Sequence, residues 1–317
     1  MNLLVTGGCG FIGSNFVDLV LSDKRNNINK LVNLDALTYA GSLDNVKEFV
    51  NDEKYIFEKV NLCDAEEVYR VLVEHNITHV VHLAAESHVD NSISGPRVFI
   101  DSNIIGTYNL LQACRELGVK RFHHVSTDEV YGELGETGKF TEDTAYDPRN
   151  PYSATKAASD FLVSAYYHTY KMPVTVSNCS NNYGPRQHRE KFIPKVIECL
   201  TNGDKVPLYG TGTNVRDWIY VKDHCEGLWE VLCFGLIGET YCIGANCEKQ
   251  NIDVIESICD AFGKNTEDCI QFVRDRAGHD FRYAIDNSKI KQKLDWRPKT
   301  SFGDGIEKTI RWYNEES

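Results

Sequence analysis

Thr127, Asp128 and Glu129, within "STDEVYG", set a hydroxyl and two carboxyls side by side directly after the apolar-leaning run Arg121–Val125. Two adjacent carboxyls can share general acid and general base work if their surroundings differ. Adjacent carboxyls in a closed site need not titrate alike, which permits that division of labour. A solvated turn would use the same residues and do no chemistry. What decides between the two is which other groups reach the same place.

Three Tyr-x-x-x-Lys pairs occur, Tyr55/Lys59, Tyr152/Lys156 and Tyr167/Lys171. On a helix such a spacing stacks an ammonium one turn from a phenol and lowers a pKa that is otherwise near 10. The resulting phenolate is a base for an alcohol proton. Tyr55 and Lys59 fall on an expected strand, about 13 Å apart along it, too far to act together. Tyr152 and Lys156 occupy the first turns of an expected helix that opens at Pro151. Tyr167 and Lys171 stand at its far end, about 22 Å of helix away, so only one of these pairs can serve one sheet edge. The expected base is Tyr152, with Lys156 beside it.

These groups need a frame. Apolar, β-branched runs at 3–6, 30–34, 55–60, 79–83, 121–125 and 174–177 alternate with helix patterns near 11–22, 64–75, 97–118 and 151–171. Such alternation predicts an α/β fold, a Rossmann-type doubly wound parallel sheet covered on both faces. Ligands of these sheets lie at the carboxyl ends of the strands, where Thr127–Glu129 fall. After about residue 180 Gly and Pro cluster and the rhythm breaks, which predicts a smaller mixed α/β substrate-binding region. The division expected is a sheet-bearing first domain over 1–180 and a substrate-binding region over 181–317, with 214–235 rejoining the first.

The opening "MNLLVTGGCGFIGSNF" is a strand, a glycine-rich turn and a helix start. Gly7, Gly10 and Gly13 allow a tight turn and close approach of backbone to a pyrophosphate held by the helix N-terminus. Asp35 ends the second strand, 22 residues after Gly13. A carboxylate there accepts from both ribose hydroxyls and repels a 2′-phosphate, and no arginine follows closely, which favours NAD over NADP. A turn or helix-capping Asp would occupy the same position.

The 317 residues carry a formal charge of −12 and a pI near 5.3, which disfavours nucleic acid and anionic membranes as partners. The first strand begins at Asn2, no leader is expected, and no apolar run is long enough to span a bilayer. Eleven cysteines without a Cys-x-x-Cys read as reduced thiols of a cytoplasmic protein. The ten histidines lack paired ligand spacing, so no metal is expected.

The stretches "TGGCGFIG", "HLAAESHVD", "STDEVYG", "YSATKAASD" and "NCSNNYGPRQ" resemble the extended short-chain dehydrogenase/reductase family of nucleotide-sugar enzymes, from residue 2 to the C-terminal "RWYN". "STDEVYG", "PLYGTGTNVRDWIYVKDH" and "DRAGHDFRYAID" are similar to the family's dTDP-glucose 4,6-dehydratase branch. Two positions depart from the family pattern. Ala277 stands where proline is usual, and Arg186 where an aromatic residue follows "NNYGP".

The resemblance implies dTDP-glucose as substrate, in deoxysugar synthesis of the dTDP-rhamnose type, and a homodimer through the helices near 97–118 and 151–171. It implies that Tyr152 takes the C4 hydroxyl proton as hydride passes to NAD, with Thr127 bonding the same oxygen and Lys156 holding the phenolate and the nicotinamide ribose. Glu129 then removes the C5 proton, protonated Asp128 donates to the departing C6 hydroxyl, and hydride returns to C6. Implied cofactor contacts, beside the three glycines and Asp35, are Phe11, Ile12, Ala36, Leu37, Thr38, Asn61 and Leu62. Leu83, Ala84, Ala85, Glu86, Ser102 and Asn182 complete them. Implied substrate contacts are Ser87, Asn181, Lys191, Phe192, Pro207, Leu208, Tyr209, Arg216 and Asn251. Asp275, Arg276, Gly278 and His279 join them from a late loop. Arg216 as a surface ion pair and Tyr209 as a core aromatic are the plain alternatives.

Two other functions fit much of this pattern. A 4-epimerase or decarboxylase would share everything except the use of Asp128 and Glu129. A non-catalytic regulator that senses NAD would keep the glycine turn, though such proteins typically lose the Tyr or the Lys.

Overall fold

The computed structural model describes residues 1–23, 26–275 and 280–315. The first half alternates as expected: β1 (Asn2–Thr6), α1 (Phe11–Ser22), β2 (Lys30–Asp35), β3 (Tyr55–Lys59), α2 (Ala65–Glu74) and β4 (His79–His82). There follow α3 (Val89–Ser94), α4 (Pro96–Phe99), α5 (Gly106–Leu117), β5 (Arg121–Thr127), α6 (Pro151–Tyr170) and β6 (Val174–Cys179). The second half holds β7 (Asn181–Tyr183), α7 (Phe192–Asn202), β8 (Val206–Tyr209), β9 (Val215–Tyr220), α8 (Val221–Phe234) and β10 (Thr240–Ile243). It ends in β11 (Glu248–Gln250), α9 (Asn251–Ala261), α10 (Thr266–Cys269), β12 (Ile270–Val273), α11 (Ser288–Leu294) and α12 (Phe302–Glu315).

Seven strands form one parallel sheet in the order β10-β6-β5-β4-β1-β2-β3. The order reverses between β1 and β4, and ligands of such sheets lie in the crevice opened there. β1, β4, β5 and β6 are buried along nearly their whole length, as strands covered on both faces must be. One face is sealed by α1 and α8, with Val17, Val20, Leu228, Leu232 and Trp296 in the layer; the other by α2, α5 and α6, with Val68, Leu72, Leu110 and Val163. After β6 the chain returns to this sheet twice. α8 packs on α1, and β10 pairs with the outer edge of β6 from Thr240↔Val176 to Ile243↔Cys179, covering backbone groups that would otherwise lie open. The strand before α8, β9, instead centres a three-stranded sheet between β7 and β11, while β8 and β12 pair separately.

The helix expected as one piece over 97–118 is divided. Gly95 and Pro96 start α4, and residues Ile100–Ile105 form a π turn before α5. The widened turn carries buried Asn103, whose side chain accepts from Glu86 N (2.8 Å) and donates to Glu86 O (3.0 Å) and Thr155 Oγ1 (2.9 Å). One residue thereby joins the loop after β4 to α6. π turns concentrate at functional sites, and this one faces the cleft through Ser102.

Asp217, in the middle of β9, is fully buried. Its Oδ1 accepts from Cys247 N at 2.7 Å, and a Cβ on Gly244 would lie 2.5 Å from Oδ2, so the β10–β11 connection closes directly over the carboxyl. Burial raises its pKa to about 6, against the lowering effect of the backbone donors. The folded state therefore holds a proton that the unfolded chain releases near pH 4. The associated stability is full below that pH and is lost as pH rises through about 6. Asp217→Asn keeps the Cys247 contact and removes the titration. We expect the unfolding free energy of the parent, relative to Asp217→Asn, to fall by roughly 2 kcal/mol between pH 4 and pH 7, read by urea unfolding at each pH. A constant difference would show that Asp217 does not titrate in this window.

Candidate active site

α1 begins at Gly10 with no side chain capping it and no acid in its first turn, leaving its end amides to a ligand. The glycines are required by contact. Gly7 has φ +72°, and a Cβ there would lie 2.8 Å from the Ala84 backbone. A Cβ on Gly13 would lie 2.1 Å from the Gly7 carbonyl oxygen. At Gly10 a Cβ would meet only the Gly7 oxygen, at 3.3 Å, since this residue faces the cleft. Asp35 accepts from Cys9 N (2.9 Å) and Leu37 N (2.8 Å), which orients its carboxyl at the end of β2.

A cavity of about 740 Å³ runs from this turn along the strand ends. It is lined by every cofactor residue expected from sequence except Leu37, which takes φ 54° and, half-buried, packs against the core cluster. Thr127, Asp128, Glu129, Tyr152 and Lys156 line it as well, with Ser87, Asn181 and Lys191. Asp128 Oδ2, Ser180 Oγ and Gln187 Oε1 have no hydrogen-bond partner among the described residues and belong to its wall. Buried polar atoms of this kind normally meet a partner. The glycine cradle, the oriented Asp35 and these orphaned atoms together fit a dinucleotide with a polar second ligand beside its reacting end.

α6 is set by a capping box. Asn150 accepts from Ser153 N (2.9 Å), Ser153 Oγ accepts from Asn150 N (3.2 Å), and Pro151 takes the first helical position. Its first two turns deliver Tyr152 and Lys156, both buried, to the cavity. The other two pairs lie elsewhere. Tyr55, on β3, meets Asn33, and Lys171 ends α6 in a left-handed turn with its ammonium 5.9 Å from the Tyr167 ring centre.

The Tyr152 phenol departs from the expectation of a lowered pKa. Burial, then the charge of Glu129 and the Cys179 thiol, push it well above its ordinary value, and only a hydrogen bond with Thr127 works the other way. The Lys156 ammonium donates to Val125 O at 2.9 Å. The attraction of a lysine for a phenolate does not outweigh desolvation in a site this closed.

Asp128 is 2% exposed. Burial first, then the neighbouring charges of Glu129 and Asp217, push its carboxyl well above the usual range, against the lowering effect of Arg216 and Thr127. Thr127 Oγ1 donates to its Oδ1 at 3.3 Å. Glu129 is half-buried, with Asn150 Nδ2 donating to its Oε2 at 3.4 Å. Two acids of unequal burial therefore face one cavity.

Phe192, Pro207, Leu208, Tyr209, Arg216, Asn251 and Asp275 lie outside the cavity wall. Phe192 stacks on Trp218 (6.1 Å between ring centres), Leu208 is buried in the core of the smaller region, and Tyr209 is exposed. Asn251 opens α9, and Asp275 sits against Gly210. Arg216 is buried, donates to the Val215, Asp280 and Phe281 carbonyls and lies over the Tyr283 ring, 4.4 Å from its centre. Arg276, Gly278 and His279 lie outside the described residues, as does Ala277. Arg186, at φ 68°, donates to Ser14 O (3.2 Å) and bonds Glu48, tying its loop to α1.

The cavity also holds residues that reading the sequence passed over, including Tyr39, Cys179, Ser180, Gln187 and His188. The last four fall within or beside "NCSNNYGPRQ", so the turn that marked Asn181 and Asn182 was a usable signal for them.

The sequence profile of the family described as GDP-mannose 4,6 dehydratase matches residues 4–309. A dTDP-glucose 4,6-dehydratase of Xanthomonas campestris pv. campestris is 51% identical, over 98% of this chain and 92% of the relative. The dTDP-glucose 4,6-dehydratase 1 of Escherichia coli (strain K12) is 47% identical over 99% and 92% of the two chains. Among solved structures, DesIV, a dTDP-glucose 4,6-dehydratase of Streptomyces venezuelae with NAD bound, superposes with a TM-score of 0.96 at 44% identity, covering 99% of this chain and 97% of that one. A UDP-glucose 4-epimerase of Thermus thermophilus, in complex with NAD, reaches a TM-score of 0.91 at 32% identity over the whole of both chains. This chain therefore belongs to the GDP-mannose 4,6 dehydratase family, and within it to the dTDP-glucose 4,6-dehydratase branch.

Proposed function

We propose that this chain is an NAD-dependent hydro-lyase that converts dTDP-glucose to dTDP-4-keto-6-deoxyglucose and water, for deoxysugar synthesis of the dTDP-rhamnose type. The observation that carries the proposal is the buried carboxyl of Asp128 beside Glu129 on the wall that also holds Tyr152 and Thr127. A 4-epimerase on the same scaffold moves hydride at C4 and has no use for an acid and base pair at C5 and C6.

Tyr152 takes the C4 hydroxyl proton, and its hydrogen bond with Thr127 aligns both hydroxyls on that oxygen. NAD⁺, when bound, supplies the acceptor for the C4 hydride, its later return to C6, and a cationic ring that offsets the high cost of a Tyr152 phenolate. Lys156, held by Val125 O, places its positive charge beneath the same reacting end. Oxidation at C4 acidifies the C5–H, which Glu129 removes. Asp128 donates its proton to the C6 hydroxyl, which leaves as water; Glu129 then gives a proton back to C5 as hydride reaches C6, and the proton taken by Tyr152 passes through solvent to restore Asp128. The charge that develops on Asp128 is tolerated because Glu129 has just been neutralised, so the two acids exchange roles without two charges standing side by side. Asn181 and Lys191 on the cavity wall, with Arg216, Phe192 and Tyr209 beyond it, would hold the diphosphate and the thymidine.

The eleven cysteines are free thiols, which suits the reducing cytoplasm. Among the described residues no helix is long and apolar enough to cross a membrane.

Hydrogen bookkeeping tests the proposal. With dTDP-glucose carrying deuterium at C4, the label should reach C6 of the product, and one solvent hydrogen should enter at C5, read by NMR. Label recovered at C4 would make the chain an epimerase, and no movement of label a regulator. Glu129→Gln should lower product formation by roughly 100-fold or more, since an amide cannot take the C5 proton. Unchanged turnover in that variant would remove Glu129 from the chemistry.

Tyr108 on α5, and Phe161 and Tyr170 on the adjacent α6, are exposed apolar side chains. A cluster of this kind marks an association surface. We expect the parent to sediment as a homodimer and Phe161→Asp to shift it to monomer in velocity sedimentation. A monomeric parent would exclude the association.

A further inference from the structure

Asp160 lies on α6 one turn beyond Lys156 and two beyond Tyr152, and it is 4% exposed. It does not line the cavity, yet it joins every element that carries the chemistry. Its Oδ2 accepts from Ser126 Oγ at 2.8 Å, and Ser126 immediately precedes Thr127, Asp128 and Glu129. The same oxygen accepts from Tyr146 OH (2.9 Å) and from Asn178 Nδ2 (3.4 Å). Asn178 on β6 also donates to Thr127 O at 3.1 Å and accepts from Tyr131 OH at 3.2 Å, so the turn carrying the two acids hangs from this centre at both ends.

We propose that Asp160 is the positioning residue of the site: it locks the base-bearing helix to the acid-bearing strand end and balances the charge of Lys156. The inference rests on the dehydratase function proposed above.

Lys156 is buried, and an unpaired ammonium there is strongly disfavoured. Its backbone acceptor, Val125 O, carries no net charge. Asp160, four residues on, stands on the same helical face, and its charge raises the proton affinity of Lys156 against the desolvation that lowers it. The other titratable groups around Asp160 are neutral at pH 8. His124 on β5 brings Nε2 to 3.1 Å of Oδ1, but burial holds its imidazole far below the ordinary range. His82 on β4 is likewise held neutral, while Tyr146, Tyr131 and the Cys179 and Cys242 thiols are pushed upward. Asp160 itself, raised to about 6 by burial, is ionised above that pH.

The sign follows. Removing the carboxylate lowers the pKa of Lys156, so the pH above which the site loses its positive charge must fall. In the NAD-loaded enzyme, Asp160→Asn should lower kcat for dTDP-glucose at pH 8 at least tenfold and move the alkaline limb of the kcat profile to lower pH. KM and bound NAD should stay within about twofold, because neither the glycine cradle nor the substrate wall is touched. Ser126→Ala, which cuts the strand contact without changing charge, should lower kcat with the limb in place. For Asp160→Asn, an unchanged kcat, or a fall in kcat with the limb unmoved, overturns the proposal. Should Asp160→Asn not fold, Asp160→Glu serves: it keeps the charge but displaces it, and a parental kcat there overturns the positioning role. Turnover by the parent is the control. An inactive parent defeats the dehydratase assignment, whereas an active parent with an indifferent Asp160→Asn defeats this inference alone.

Discussion

β5 outruns β4, and the site depends on that mismatch. The β4–β5 pairing stops at His82↔His124, while β5 stays paired with β6 as far as Thr127↔Cys179. Val125, Ser126 and Thr127 therefore extend along one neighbour only, and the cavity occupies the other side. A strand end half-released in this way carries backbone and hydroxyl groups that need partners. α6 supplies them: Lys156 takes the Val125 carbonyl, and Asp160 the Ser126 hydroxyl. The contacts that close the fold at this point are the same ones that set Tyr152 against the two acids.

Burial then sets the two acids apart. Ionising a buried carboxyl is costly, and burial with two neighbouring acids raises the pKa of Asp128, which favours the acid role proposed for it. Glu129, one residue along and half-buried, stands where it can take the opposite role. The overall charge of −12 has no part in this distinction, which arises within a few ångströms. The same desolvation holds Tyr152 as a phenol, so the base is formed only when cationic charge is gathered around it.

The scaffold is shared more widely than the chemistry. An epimerase at 32% identity superposes with a TM-score of 0.91, only slightly below the 0.96 of a dehydratase at 44%. A sheet of this order offers a dinucleotide cleft and a strand end opposite its reacting ring, and the reaction is then set by the few side chains at that end. In the function proposed for this chain those are Asp128 and Glu129, carried on a short 3₁₀ turn, Asp128–Tyr131, directly after β5.

Much of this was legible in the residues themselves. The first βα unit could be read from Gly7, Gly10, Gly13 and Asp35 because tight turns and strand ends constrain residue type locally. Pro151 marked the start of α6, and helix rise alone separated Tyr152 from Tyr167. Other features depend on contacts between distant segments and leave no local pattern. β10 joins the main sheet from beyond residue 239, because the free edge of β6 must be paired by whatever strand the chain later offers. The π turn that divides α4 from α5 answers to Asn103 reaching Glu86 and Thr155, partners 17 and 52 residues away. Leu208 faces the core because β8 pairs with β12, a register invisible in "VPLY". Composition and spacing determined which groups could act as acid, base and cradle. Only the tertiary structure decided how differently the two carboxyls are buried, because desolvation depends on what the rest of the chain packs around each of them.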